Sequence, residues 1–112
     1  MYRELILFRN ELKNKSIPKY KIIGIVSELL LSKQIFAKNI DIEEFLSDVF
    51  GMKFKAYLYK SRTMLVARIT KEIITLEKDN GYKNKLYKFV QKKIDELKDN
   101  EKEEKNQLDG WI

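Results

Sequence analysis

A chain of 112 residues with 44% apolar content suits one compact domain and is too apolar for a disordered tract. With neither Cys nor His, disulfides, the common zinc sites and Ser–His or Cys–His nucleophile pairs are excluded. A net charge of +6 admits a polyanion as partner, while only 4 Gly and 1 Pro favour a few long helices over many short strands.

The first element is expected from Tyr2 to Lys13, where Tyr2, Leu5, Phe8 and Leu12 recur at helical spacing. Ser16-Ile17-Pro18 breaks it, because proline fits a helix start and not an interior. A second helix, Lys19 to Lys33, carries Ile22, Ile23, Val26, Leu29 and Leu30 on a face that Ile25 and Leu31 widen. Ile22 to Leu31 is the longest apolar stretch, but Gly24, Ser27 and Glu28 interrupt it, so no membrane span is predicted. The start, Met1-Tyr2-Arg3-Glu4-Leu5, lacks the apolar run of a signal peptide, and a cytoplasmic protein is expected.

The connector from Gln34 to Asn39 tucks Ile35 and Phe36 inward. Asp41 followed by Glu44 then reads as a capping box, with Ile40 and Phe45 as a hydrophobic staple. Ile42, Phe45, Leu46, Val49 and Phe50 continue the helix to Gly51, which stands where a left-handed cap belongs. Residues 52–70 admit two readings. Met52, Phe54, Ala56 and Leu58 alternate with Lys53, Lys55, Tyr57 and Tyr59, as in a β-hairpin or wing whose second strand would run from Met64 to Ile69. The favoured reading is helical: a short helix from Lys53 to Lys60, Ser61 as cap, then a longer helix burying Leu65, Val66, Ile69, Ile73 and Leu76. The joining residues Lys60-Ser61-Arg62-Thr63 hold none of the Gly, Asn or Asp that tight hairpins prefer.

Asp79-Asn80-Gly81 is a stop, after which Tyr82, Leu86, Phe89, Val90, Ile94 and Leu97 define a last helix to about Lys98. The expected fold is therefore mainly α, a single domain over residues 1–98 of five or six helices with a helix-turn-helix-like centre. The alternative is a winged helix with its hairpin at about 52–70. Residues 99–112 read as a charged, frayed tail. The stripe Leu86, Val90, Ile94 and Leu97 serves either core packing or a homodimer seam.

Charge placement points to function. Between Gly51 and Lys71 there is no acid, while Lys53, Lys55, Lys60, Arg62, Arg68 and Lys71 are basic. A second acid-free stretch holds Lys83, Lys85, Lys88, Lys92 and Lys93, and the acids gather at Asp41–Asp48 and Asp95–Glu104. A helix, a glycine and a basic segment give Asp41 to Arg62 the layout of a helix-turn-helix, although Lys60 stands where a buried residue is expected. The expectation is a small basic DNA-binding protein, a regulator or accessory factor. In it the lysines hold phosphates, Tyr57 and Tyr59 touch the backbone, and Arg62 and Arg68 reach base edges. The rival is a protein-binding module, such as a phage or plasmid inhibitor docking on a host nuclease; the Lys, Asn and Ile usage suits an AT-rich bacterial, phage or plasmid gene. Trp111 is a candidate partner anchor in that case, against the alternative that it folds back on its own domain.

No catalytic residue, metal ligand or cofactor motif is identified, and an enzyme is not expected. Glu28 and Glu72 are read as surface salt-bridge partners and not as a paired acid and base.

Overall fold

The computed structural model describes residues 1–76 and 81–109, with side chains through residue 99. Five helices form it: α1 (Tyr2–Leu12), α2 (Lys19–Leu31), α3 (Ile42–Phe45, prolonged by one π turn, Leu46–Phe50), α4 (Arg62–Thr75) and α5 (Tyr82–Asp109). Two 3-10 turns, Asn39–Asp41 and Ala56–Lys60, join them.

Among the described residues there is no strand, so the hairpin over 52–70 does not form. Its second half is helical because Ser61, in extended conformation, accepts a hydrogen bond from the Met64 N–H at 3.3 Å and starts α4. The Leu65 N–H then bonds the Ser61 carbonyl. Leu65, Ile69 and Ile73 follow every fourth residue and are almost wholly buried. Each such side chain contributes about 1.5–3 kcal/mol of apolar burial, which outweighs the strand preference of their β-branched neighbours.

α1 packs along α5, and α2 along α4. The start of α2 meets the end of α4, where the Lys19 ammonium donates to the carbonyls of Ile74 and Leu76 and so satisfies two of the helix's orphan acceptors. One core joins both pairs, running from Leu5 and Phe8 through Ile22, Val26 and Leu29 to Leu86, Val90 and Ile94, with no buried polar or charged residue in it. Phe89 of α5 ties the middle of the chain to this core, lying 5.8 Å from the Phe36 ring and 4.6 Å from Phe45. The backbone spreads over 55 × 35 × 18 Å.

The start of α3 differs from expectation. Asp41 does not cap it from the first position; its carboxylate accepts from the Lys38 N–H at 3.0 Å, closing the 3-10 turn that precedes the helix. That extra turn carries Ile40 outward, 54% exposed, so the Ile40–Phe45 staple is not made. Gly51 is left-handed as expected, at φ 65 and ψ 26. The Gly51 N–H reaches Ser47, and the Met52 N–H reaches back to the Leu46 carbonyl, a closure widened by the π turn.

Helix α5 runs to Asp109, beyond the Lys98 at which its apolar stripe ends. Glu, Lys and Gln are good helix formers, and no Gly or Pro interrupts them before Gly110. Gly81 is described, at φ 85; residues 77–80, including the rest of the predicted stop, lie outside the described residues, as do Trp111 and Ile112.

Candidate nucleic-acid interface

The acid-free middle of the chain divides into two elements. Residues 52–55 run without helix, and Ala56–Lys60 make a single 3-10 turn against the start of α4. A helix-turn-helix would resume helix directly after Gly51, and here it does not. Lys53, Lys55 and Lys60 are exposed on this segment, with Tyr57 beside them at 55% exposure. Leu58 and Tyr59 turn the other way and seal the segment to the core, both 7% exposed. Tyr59 is thus placed in the core and not beside the exposed lysines.

Arg62 also turns inward. It stands one turn before the buried stripe of α4, so its side chain lies along the core side of the helix and is half-buried. Its Nε donates to the Asn39 side-chain oxygen at 2.9 Å, while the Asn39 amide donates to the Tyr59 carbonyl at 2.9 Å. One asparagine thus clamps the 3-10 turn to the first residue of α4. The Arg62 Nη1 is buried without a hydrogen-bond partner. A guanidinium held this way ties the 3-10 turn to the start of α4.

Of the two remaining sites on α4, Arg68 is exposed but paired with Glu72, Nε to carboxylate 3.4 Å. This is an i,i+4 surface pair of about 0.3–0.5 kcal/mol, which a phosphate can displace. Lys71 is exposed and makes no ion pair among the described residues, about 13 Å along the helix from Arg62. The outward face around it is mixed: Ala67 is exposed, with Met64 and Ile74 at 49% and 59%, and Arg68 and Thr75 are exposed beside them. The structure thus brings Lys53, Lys55, Lys60 and Tyr57 to the surface of one segment, sets Lys71 and Arg68 further along α4, and withdraws Arg62 and Tyr59.

The second lysine stretch lies on α5. Lys85, Lys88 and Lys92 are exposed along one face, which becomes acidic further on at Asp95, Glu96 and Asp99. The apolar stripe on the opposite side, Leu86, Val90 and Ile94, is buried and taken up by packing within the chain against α1. Where the end of α1 meets the start of α5, a cleft of about 520 Å³ is lined by Leu12, Lys13, Asn14, Lys15, Lys83, Asn84 and Tyr87. Sequence reasoning passed over Lys13 and Lys15, which are far from Lys83 in the chain. The only signal for them was the Arg9–Lys13 spacing on one flank of α1.

The acids are set apart. Asp41, Glu43, Glu44 and Asp48 rim a groove of about 790 Å³ whose floor is Phe36, Phe45 and Phe89, with Lys92 and Lys93 at its other edge. Among the described residues no group of three or more carboxylates is placed to hold a metal ion. Nor is any helix long and apolar enough to cross a membrane. Glu28 is exposed on α2, and Glu72 makes its ion pair with Arg68. What the exposed cations can do chemically is hold anionic oxygens. No family model, no curated protein and no solved structure matches this chain.

Proposed function

We propose that the protein binds the phosphate backbone of nucleic acid, DNA in the first instance, without reading its sequence. The observation that carries this is that Lys53, Lys55, Lys60 and Lys71 are all exposed and none makes an ion pair among the described residues. Unpaired surface lysines contribute through counterion release when they meet phosphates, and they need no special fold to do so. Tyr57, exposed among them, donates its hydroxyl to a phosphate oxygen. Base-edge recognition is left out because Arg62, the arginine nearest the lysines, is engaged by Asn39, and Arg68 is paired with Glu72.

The test is a gel-shift and anisotropy series over salt, comparing wild type with the triple variant Lys53→Glu, Lys55→Glu, Lys60→Glu. Wild type is expected to bind random-sequence duplex with a strong salt dependence. The variant should lose about 0.9 from the log–log slope for each lysine removed from a phosphate. Equal slopes and affinities would refute the reading.

One observation favours a second reading, a protein-binding module such as an inhibitor docking on a nuclease or other nucleic-acid enzyme. The outward face of α4 exposes Met64 and Ile74 around Ala67, beside the cations Lys71 and Arg68. Pull-down from the source cell with and without nuclease treatment separates the two, since only a protein contact survives digestion of the nucleic acid.

A further inference from the structure

The α1–α5 cleft is lined by three cations, Lys13, Lys15 and Lys83, and by no acid among its described residues. None of the three makes an ion pair among those residues. Lys83 is placed against ordinary helix electrostatics. It stands in the first turn of α5, which has no acidic residue, and a positive charge there faces the positive end of the helix dipole. Three lysines and the first turn of α5 all favour negative charge, so an anion held in the cleft is attracted by each of them.

The rest of the lining gives the ligand a shape. Tyr87 follows Lys83 by one turn and lies half-buried on the same side of α5, so the ring edges the cleft over the buried Leu12. The Asn14 side-chain oxygen accepts the Ser16 N–H at 2.9 Å, which leaves its amide N–H groups to donate. Asn84 is exposed on the opposite wall. A volume of about 520 Å³ is within the range of small-ligand sites. Lysines beside an aromatic ring are the combination that single-strand binders use, the cations for the backbone and the ring for a base.

We propose that this cleft seats one nucleotide of a single strand, with Lys13, Lys15 and Lys83 on its phosphates and Tyr87 against its base. The proposal rests on the nucleic-acid reading above and deepens it: the exposed lysines of residues 53–60 hold backbone, and the cleft selects unpaired strand.

The experiment is fluorescence anisotropy with a short labelled oligothymidylate and the matching duplex, using the full chain. Four proteins are compared: wild type, the cleft variant Lys13→Glu with Lys83→Glu, Tyr87→Ala, and the triple variant Lys53→Glu, Lys55→Glu, Lys60→Glu. The cleft variant should lose at least about tenfold in affinity for the single strand, with a salt slope smaller by about 1.4, two cations at 0.7 each. Tyr87→Ala should lose at least about fivefold, the low end of base stacking. Folding is checked by the thermal melt, which Lys83→Glu should hold or raise, since it places an acid at the start of α5. Free thymidine monophosphate should compete poorly at equal nucleotide concentration. Equal competition would make the ligand a nucleotide and overturn the strand assignment. If wild type and cleft variant bind the single strand alike while the Lys53, Lys55, Lys60 variant is impaired, the cleft inference fails and the general reading stands. If wild type binds neither oligonucleotide, both fall.

Discussion

Replacing Tyr59 by Phe isolates one buried oxygen. Tyr59 is 7% exposed, and its hydroxyl is buried without a hydrogen-bond partner. The Phe54 backbone N–H lies close enough to favour the ionised oxygen, yet the pair does not reach hydrogen-bond geometry. A buried hydroxyl in that position costs about 1–3 kcal/mol of unrecovered desolvation, and Phe keeps the ring and its contacts. Tyr59→Phe is therefore expected to raise the unfolding free energy by about 1 kcal/mol at neutral pH, or about 4 °C in Tm. The alkaline range gives an independent signature. Burial, with the Glu43 carboxylate second, raises the Tyr59 pKa above its ordinary value of 10.0. Above that value the unfolded chain loses the phenolic proton while the folded chain keeps it. The folded state then binds more protons, and stability contributed by the neutral phenol falls as pH rises, by up to about 1.4 kcal/mol per pH unit. The Phe variant lacks this loss, so its advantage should widen above the ordinary tyrosine pKa. Urea denaturation of both proteins from neutral to strongly alkaline pH reads both effects. A variant less stable than wild type by 1 kcal/mol or more at neutral pH, or two curves that stay parallel through the alkaline limb, would refute the reasoning.

Two further substitutions probe the elements that shape the surface. Gly51→Ala meets no atom within 4 Å of the added Cβ, so its cost is that of the left-handed backbone alone, about 1–2 kcal/mol in a denaturant midpoint; an unchanged midpoint would mean the turn relaxes. Asn39→Ala removes the bonds to Arg62 and the Tyr59 carbonyl together and should cost about 1.5–3 kcal/mol, while Asn39→Asp keeps the acceptor for the guanidinium and should recover part of it. Equal melts for wild type and Asn39→Ala would show that the clamp contributes nothing.

The helices were largely legible because their apolar residues keep a helical period: Leu5, Phe8 and Leu12, or Leu86, Val90 and Ile94, are the buried stripes their spacing indicates. Ser61 as the cap of α4 and Gly51 as the left-handed stop were legible for the same kind of reason, each residue type meeting a backbone need that few others meet. Residues 52–60 were ambiguous because alternation over a short run fits an extended segment as well as a strand, and only a partner strand would have distinguished them. The inward placement of Arg62 and Tyr59 was not legible, for a different reason. A linear map of charge records where cations fall in the chain and not which way a helix points them. The pairing of Lys13 and Lys15 with Lys83 could not be read at all, since it depends on which end of α1 meets which end of α5.

A body only 18 Å through along its shortest axis is about two helix diameters deep. Every helix therefore has one side against its neighbours and the other against water, and nothing bound to a broad side is far from the opposite one. Even so, the Debye length at physiological salt is about 8 Å, so exposed charges on opposite broad sides stand more than a Debye length apart and are largely screened from one another. Two anionic occupants on opposite sides of such a plate should therefore load almost independently at physiological salt, and sense each other only when salt is low.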